Sequence, residues 1–467
     1  MSIRTSRGRS TNFQRTASTS PDPALLRVVA YLVPITAALG PWISLNPGRE
    51  GQVTAFRGLA VLVVLLGVVE RLRSTTHTSR IGLYWTTFTA LFALQTVRFM
   101  RSGVLDETFG GRRQLFGMAT AIAAAYGFYL LLTAHPTLAR PALRGFTHAF
   151  TAFVVVACLE ALTGRHPTEL VGNPWKFPLR SPAATFNNPN DLACFMLLGL
   201  AATLIMLRQR TDLTAQALRL LSFSATLLIA LLSASRGALL GAFLIGFVHL
   251  IVHRAWRFPV AVLAIAGIYP MSLLQSYLAG DAAQANSDDL RSILSRYCWD
   301  MFLTNPWLGT GPARFQDYYS NVTGYPVELA IPPHNSLLEL VAEYGLLVGA
   351  PLLVTIILTL RVAMSGWSRL APSLASSATA APIGSRASID ANSLDQSGAQ
   401  YPSYRLGLEW LVALILSSIV PSSVLASPWW WAWVGLIIAI ASNTYRTVDA
   451  AKPGTRGTNR SASNPRR

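Results

Sequence analysis

Long apolar runs alternate along the chain with short polar connections. Twelve runs approach the length of a membrane-crossing helix, at roughly 24–45, 53–72, 81–100, 115–133, 142–163, 190–208, 216–233, 236–252, 258–278, 336–362, 405–423 and 427–445. A helix needs about 20 mainly apolar residues to cross the hydrocarbon core. Lipid offers the backbone no hydrogen-bond partners, so such runs are helices. The pattern predicts an all-α polytopic membrane protein of about twelve transmembrane helices. The segments 142–163 and 81–100 are the poorest in aliphatic residues. Only Ala234 and Ser235 separate the seventh run from the eighth, which demands a tight hairpin.

The polar stretches divide the chain. A basic tail, 1–23, precedes nine spans within 24–278. A long loop, 279–335, leads to the tenth span at 336–362. An Ala-, Ser- and Gly-rich linker, 363–404, separates that span from the last two at 405–445. A second basic tail, 446–467, follows. The excess of arginine in both tails assigns them to the cytoplasm by the positive-inside rule, which requires an even number of spans. The first tail is expected to be a cytoplasmic anchor rather than a transit peptide. The loops 164–189 and 279–335 are then external. Within the longer one, 289–304 sets Leu290, Ile293, Leu294, Tyr297, Cys298 and Met301 on one side. That spacing predicts an amphipathic helix, and this apolar face suits contact with a membrane surface.

Composition agrees with the hydropathy. Of 467 residues 52% are hydrophobic and only 13% charged, with a mean hydropathy of +0.40. A soluble chain carries about twice that charged fraction. The net charge is +17, from 38 basic and 21 acidic side chains. A nucleic-acid binder would be basic and polar, whereas this chain is basic and apolar, so no nucleic-acid partner is expected. Lys176 and Lys452 are the only lysines. Cys158, Cys194 and Cys298 are too scattered for a metal site or a disulfide framework.

Arginines on the external side violate the charge rule. Arg98, Arg101, Arg112 and Arg113 flank one external connection, and Arg165, Lys176 and Arg180 lie in the next. Arg291, Arg296 and Arg314 lie in the long loop. Singly, each can snorkel to lipid phosphates. Together they suit an anion, and a diphosphate in particular. Arg236 stands at the N-terminus of the eighth span, where free N–H groups and the helix dipole already favour phosphate. His334, in Pro332-Pro333-His334-Asn335-Ser336, stands where the long loop meets the tenth span. An imidazole there can take a proton from an attacking hydroxyl, or merely bond locally. No other histidine has a comparable setting in the sequence.

Four segments carry a resemblance. They are Phe186-Asn187-Asn188-Pro189-Asn190-Asp191-Leu192-Ala193; Ser235-Arg236-Gly237-Ala238; Arg296-Tyr297-Cys298-Trp299 continuing through Asn305-Pro306-Trp307-Leu308-Gly309-Thr310-Gly311-Pro312 to Phe315; and Pro333-His334-Asn335-Ser336-Leu337-Leu338-Glu339-Leu340 ending in Glu343-Tyr344-Gly345-Leu346. In this order and spacing they resemble the O-antigen ligase and polymerase superfamily of bacterial envelope enzymes, acting in lipopolysaccharide biosynthesis. The resemblance implies a GT-C-like membrane fold with one long periplasmic loop before helix 10, in the bacterial inner membrane. It implies a donor glycan on undecaprenyl diphosphate and an acceptor hydroxyl on the lipid A core or another glycan. No metal or other cofactor is implied. His334 corresponds to the family's proposed base, and Arg236 and Arg296 to arginines implicated in holding the donor diphosphate. Arg180, Arg291 and Arg314 join them as candidates from their place in the external loops.

The expected activity is therefore metal-independent glycosyl transfer, with an O-antigen ligase first and a polymerase of the same family as the alternative. From another class, twelve spans also suit a flippase for lipid-linked glycans. A flippase favours cations within a central cavity and broken spans in both halves. Here the cations lie at the external edge, and the irregular loop has no counterpart in the first half.

Overall fold

The computed structural model describes residues 23–40, 54–74, 78–106, 108, 110–166, 181–184, 186, 188–208, 210, 212–252, 281–324, 326–327, 333, 335–368, 408–419 and 425–450. Every multi-residue element in these stretches is helical. The first eight helices are α1 (Pro23–Leu39), α2 (Ala55–Arg73), α3 (Arg80–Arg101), α4 (Gly111–Ala134), α5 (Ala139–Thr163), α6 (Pro189–Met206), α7 (Leu213–Leu232) and α8 (Arg236–Val252). Then follow α9 (Asp281–Thr304), α10 (Arg314–Thr323), α11 (Ser336–Tyr344), α12 (Leu346–Ser368), α13 (Leu408–Ile419) and α14 (Pro428–Ala450). The expected span 258–278, both tails before 23 and after 450, and most of the 363–404 linker lie outside the described residues.

Among the described residues, five helices are long and apolar enough by themselves to cross a membrane: α4, α5, α6, α7 and α12. The others are shorter, more charged or richer in tryptophan. The helix α14 is a case in point, because residues 429–442 are buried on every side. It packs on α1, α3, α4, α12 and α13 and so needs no lipid-facing stripe. Its indoles fill the centre: Trp433 stacks on Trp410 with centroids 5.3 Å apart, and Trp431 on Phe88 at 5.8 Å. The helix α6 is the second axis, set among α5, α7, α8 and α13. Small residues allow the closest approaches, as where a Cβ on Gly67 of α2 would lie 2.3 Å from the Gly127 carbonyl of α4.

Two expectations are corrected. The segment 336–362 is not one helix, for α11 stops at Tyr344 and α12 starts at Leu346. Gly345 sits between them with a left-handed φ of 78°. The turn at 305–312 wraps this break. Leu346 N–H bonds to Pro306 O at 2.8 Å, Gly311 N–H to Glu343 O at 2.9 Å and Thr310 N–H to Ala342 O at 3.1 Å. Backbone lies against backbone here: a Cβ on Gly345 would fall 2.2 Å from Trp307 O, and one on Gly309 2.2 Å from Glu343 O.

The second correction concerns the amphipathic helix. It begins earlier, at Asp281, and most of its predicted apolar face is turned to protein. Leu294, Cys298, Met301 and Phe302 pack instead against Phe315 of α10 and Ala342 of α11. Protein neighbours from the loop and from α11 cover that part of the face. The helices α9, α10 and α11 thus form a small separate core at one end of the bundle.

Gly345→Ala and Gly309→Ala test the wrap. A side chain at a left-handed backbone costs on the order of 1–3 kcal/mol even before the clash with a carbonyl. Each variant is expected to give less folded protein after detergent extraction, measured as the monodisperse fraction on size exclusion. Unchanged yield and thermal midpoint would contradict the packing described.

Candidate functional site

Chain connectivity gathers several features at one end of the bundle. The short turns joining α6 to α7 and α7 to α8 make α6 and α8 parallel, and the bonds from Ala183 and Ala184 to Glu160 bring the end of α5, antiparallel to α4, to the start of α6. The α7–α8 turn is the hairpin expected from sequence. Ser235 N–H reaches back to Ala230 O at 2.9 Å, and Ala234 N–H to Leu231 O at 2.9 Å. This is a Schellman closure with Ala234, φ 51°, at its left-handed position. Ser235 is buried and its carbonyl takes the first α8 bond, from Leu239 N–H at 3.0 Å. Arg236 follows as the first, exposed residue of α8. Its guanidinium therefore stands at a helix N-terminus, a place that favours an anion.

The small α9–α11 core is bolted to the same end. Gln114, in the first turn of α4, donates from Nε2 to Glu343 Oε2 at 2.9 Å. The backbone N–H groups of Ala313 and Phe315 donate to the same buried carboxylate. From α3, Arg98 Nη1 and Gln95 Nε2 both bond to the Leu308 carbonyl, at 3.0 and 3.2 Å. Arg98 is thereby occupied in holding the 305–312 turn.

The predicted cations distribute unevenly over this end. Arg291, half-buried on α9, acts electrostatically on Cys194 together with Asp191, so it stands within reach of the start of α6. Arg314 opens α10, half-buried, after the left-handed Ala313 at φ 60°. Arg296 is exposed. Five positions along a helix correspond to about 140° of rotation, so Arg291 and Arg296 leave α9 on different faces. Arg180 and His334 lie outside the described residues. The neighbours of His334 in sequence are described: Pro333 is buried, and Asn335 caps α11, its Oδ1 accepting Leu338 N–H at 3.1 Å.

Other chemistry at this end is limited. The Cys298 thiol is pushed up from its ordinary value by burial and then by the charges of Glu339 and Glu343, so it is no thiolate nucleophile. Among the described residues no cluster of three or more His, Cys, Asp or Glu side chains could hold a metal ion.

Three histidines with no evident setting in the sequence do have one. His166 Nδ1 lies 3.5 Å from Glu160 Oε1 at this same end, both side chains almost fully buried. The other oxygen, Glu160 Oε2, accepts Ala183 N–H at 2.9 Å and Ala184 N–H at 2.8 Å. These bonds pin the segment that leads into α6 and its Asn188-Pro189-Asn190-Asp191 start. At the opposite end His135 meets Glu70 at 2.7 Å and His249 meets Glu409 at 3.5 Å. A glutamate inside an apolar run was the available signal, because an acid there needs a partner.

Residues 220–353 match the family model described as O-antigen ligase. That stretch runs from α7 through the first turns of α12 and holds the hairpin, Arg236 and the whole α9–α11 core. Over that stretch the chain is similar to the O-antigen ligase family. The family implies a membrane protein with ligase- or polymerase-type, glycosyltransferase-like activity on lipid-linked glycan and acceptor substrates in general. No curated protein matches the chain.

Glu160→Ala strands two buried donors, each costing about 1–3 kcal/mol. A lower thermal midpoint in detergent is expected, with Glu160→Gln recovering most of the loss because its amide oxygen still accepts. Equal midpoints for the two variants would show that the Ala183 and Ala184 bonds contribute little.

Proposed function

We propose that this protein transfers a glycan from an undecaprenyl-diphosphate carrier to an acceptor hydroxyl on the periplasmic side of the bacterial inner membrane. Ligation of O-antigen to the lipid A core is the first assignment, and polymerisation of lipid-linked repeats is the alternative within the family. The supporting observation is a coincidence of place. Within the family-matched region, Arg236, Arg291 and Arg314 stand at the bundle end to which α11, the helix following His334, is bolted. Both termini are then cytoplasmic.

The chemistry is a single displacement at the anomeric carbon. His334 takes the proton of the acceptor hydroxyl as its oxygen bonds to that carbon. The bond to the diphosphate breaks, and the lipid diphosphate leaves with the electron pair, inverting the centre. Negative charge grows on the leaving group, and fixed arginines stabilise it most where water is excluded. Arg236 and Arg296 are the first donor-holding candidates; Arg180, Arg291 and Arg314 are the others. Among the described contacts, Glu343, Gln114 and Arg98 hold the site's parts in register and do not act on substrate.

Purified His334→Ala and Arg236→Ala proteins are expected to insert normally and to lose transfer. Near-normal transfer by His334→Ala removes the base from the scheme. Deleting the gene and resolving the surface polysaccharides on a gel separates the two assignments. Loss of all long chains from lipid A indicates a ligase, and single-repeat products indicate a polymerase.

A further inference from the structure

The helix α9 carries a second apolar face. Its predicted face, apart from Ile293 at its edge, packs on α10 and α11, yet Trp299 and Leu303 on the other side remain 49% and 57% exposed. They share this side with Ser292 and Arg296, at spacings of four, three and four residues, one continuous helical stripe. Trp307, just beyond the helix, is 64% exposed. Large apolar side chains gathered on an exposed face mark an interaction surface.

The position of Trp307 says what covers it. Its carbonyl accepts Leu347 N–H at 3.2 Å, in the first turn of the apolar span Leu346–Met364. The next carbonyl, of Leu308, is held by Arg98 at the end of α3, which packs along α12. Trp307 therefore adjoins the first turn of that apolar span. Below it the surface continues through Leu347, Leu353 and Ile357, all exposed on the spanning helix.

We propose that α9 lies on the bilayer with this outer stripe, not with the face evident from its periodicity. Trp299, Leu303 and Trp307 occupy the boundary between headgroups and acyl chains, where indole rings are preferred. Arg296, on the same stripe, is placed at headgroup level, the depth at which the diphosphate of a lipid-linked donor also lies. The occupant is the bilayer leaflet at the α9–α11 end of the bundle. The inference requires that the protein spans a membrane, and it does not require glycosyl transfer.

The test uses single labelled cysteines in full-length protein. Leu303→Cys and Asn321→Cys, each in a Cys158→Ser background, are labelled with nitrobenzoxadiazole and placed in phosphatidylcholine–phosphatidylglycerol nanodiscs. Asn321 is the control, because it is exposed and stands on α10 rather than on the α9 stripe. Lipids with a nitroxide near the top of the acyl chain are expected to quench the Leu303 label several-fold and leave the Asn321 label unchanged. Trp307→Cys provides the same reading should Leu303→Cys fail to fold. Equal response at both positions would overturn the proposal. So would a Leu303 label that is shielded from aqueous iodide yet unquenched by nitroxide lipid, which would mean that a second protein copy covers the stripe.

Discussion

The architecture at the α9–α11 end of the bundle depends on one backbone interlock. The helical path into the membrane is broken at Gly345, and the turn 305–312 closes over the break with four backbone hydrogen bonds. Neither strand of this contact has room for a Cβ at Gly309 or Gly345. A break in a membrane helix is tolerated only where protein satisfies the freed backbone groups. Here the satisfying segment is itself tied to α3 by Arg98 and Gln95, and Glu343 just before the break is tied to α4 by Gln114. The loop helices are thus fixed to the bundle from several directions, and the start of α11 inherits that rigidity. A catalytic group beside α11 would be held without needing a lid to close over it.

Much of this arrangement was legible as hydropathy. The run 236–252 is Arg236–Val252 in the structure, and 190–208 is Pro189–Met206. The Ala234-Ser235 hairpin followed from spacing alone. The break at Gly345 was not legible, because Leu337 to Leu360 reads as a continuous apolar run to any window that averages hydropathy. The motif Asn305-Pro306-Trp307-Leu308-Gly309-Thr310-Gly311-Pro312 was seen as a family mark, but its physical task, wrapping a helix break, needs three dimensions. On α9 the periodicity was real, yet both faces carry large apolar residues. Periodicity cannot say which face meets protein and which meets lipid.

The buried carboxylates show another limit of sequence. Glu70, Glu160 and Glu409 lie in or at the ends of apolar helices, where an isolated charge is costly. Each has a histidine beside it, but His135 is 65 positions from Glu70 and comes from another helix. Composition could flag the acids; only packing could supply the partners. The site arginines divide the same way. Arg236 was marked by its helix N-terminus, whereas the proximity of Arg291 to the start of α6 depends on how α9 docks.

The central claim is that the basic end of the bundle receives a lipid diphosphate. Binding of radiolabelled undecaprenyl diphosphate, which has no glycan to transfer, tests this without chemistry. The purified wild-type protein is expected to retain the lipid, to release it to excess unlabelled diphosphate lipid and not to the monophosphate, and to lose it in Arg236→Gln and Arg291→Gln. Retention by both variants equal to that of the wild type would contradict the account.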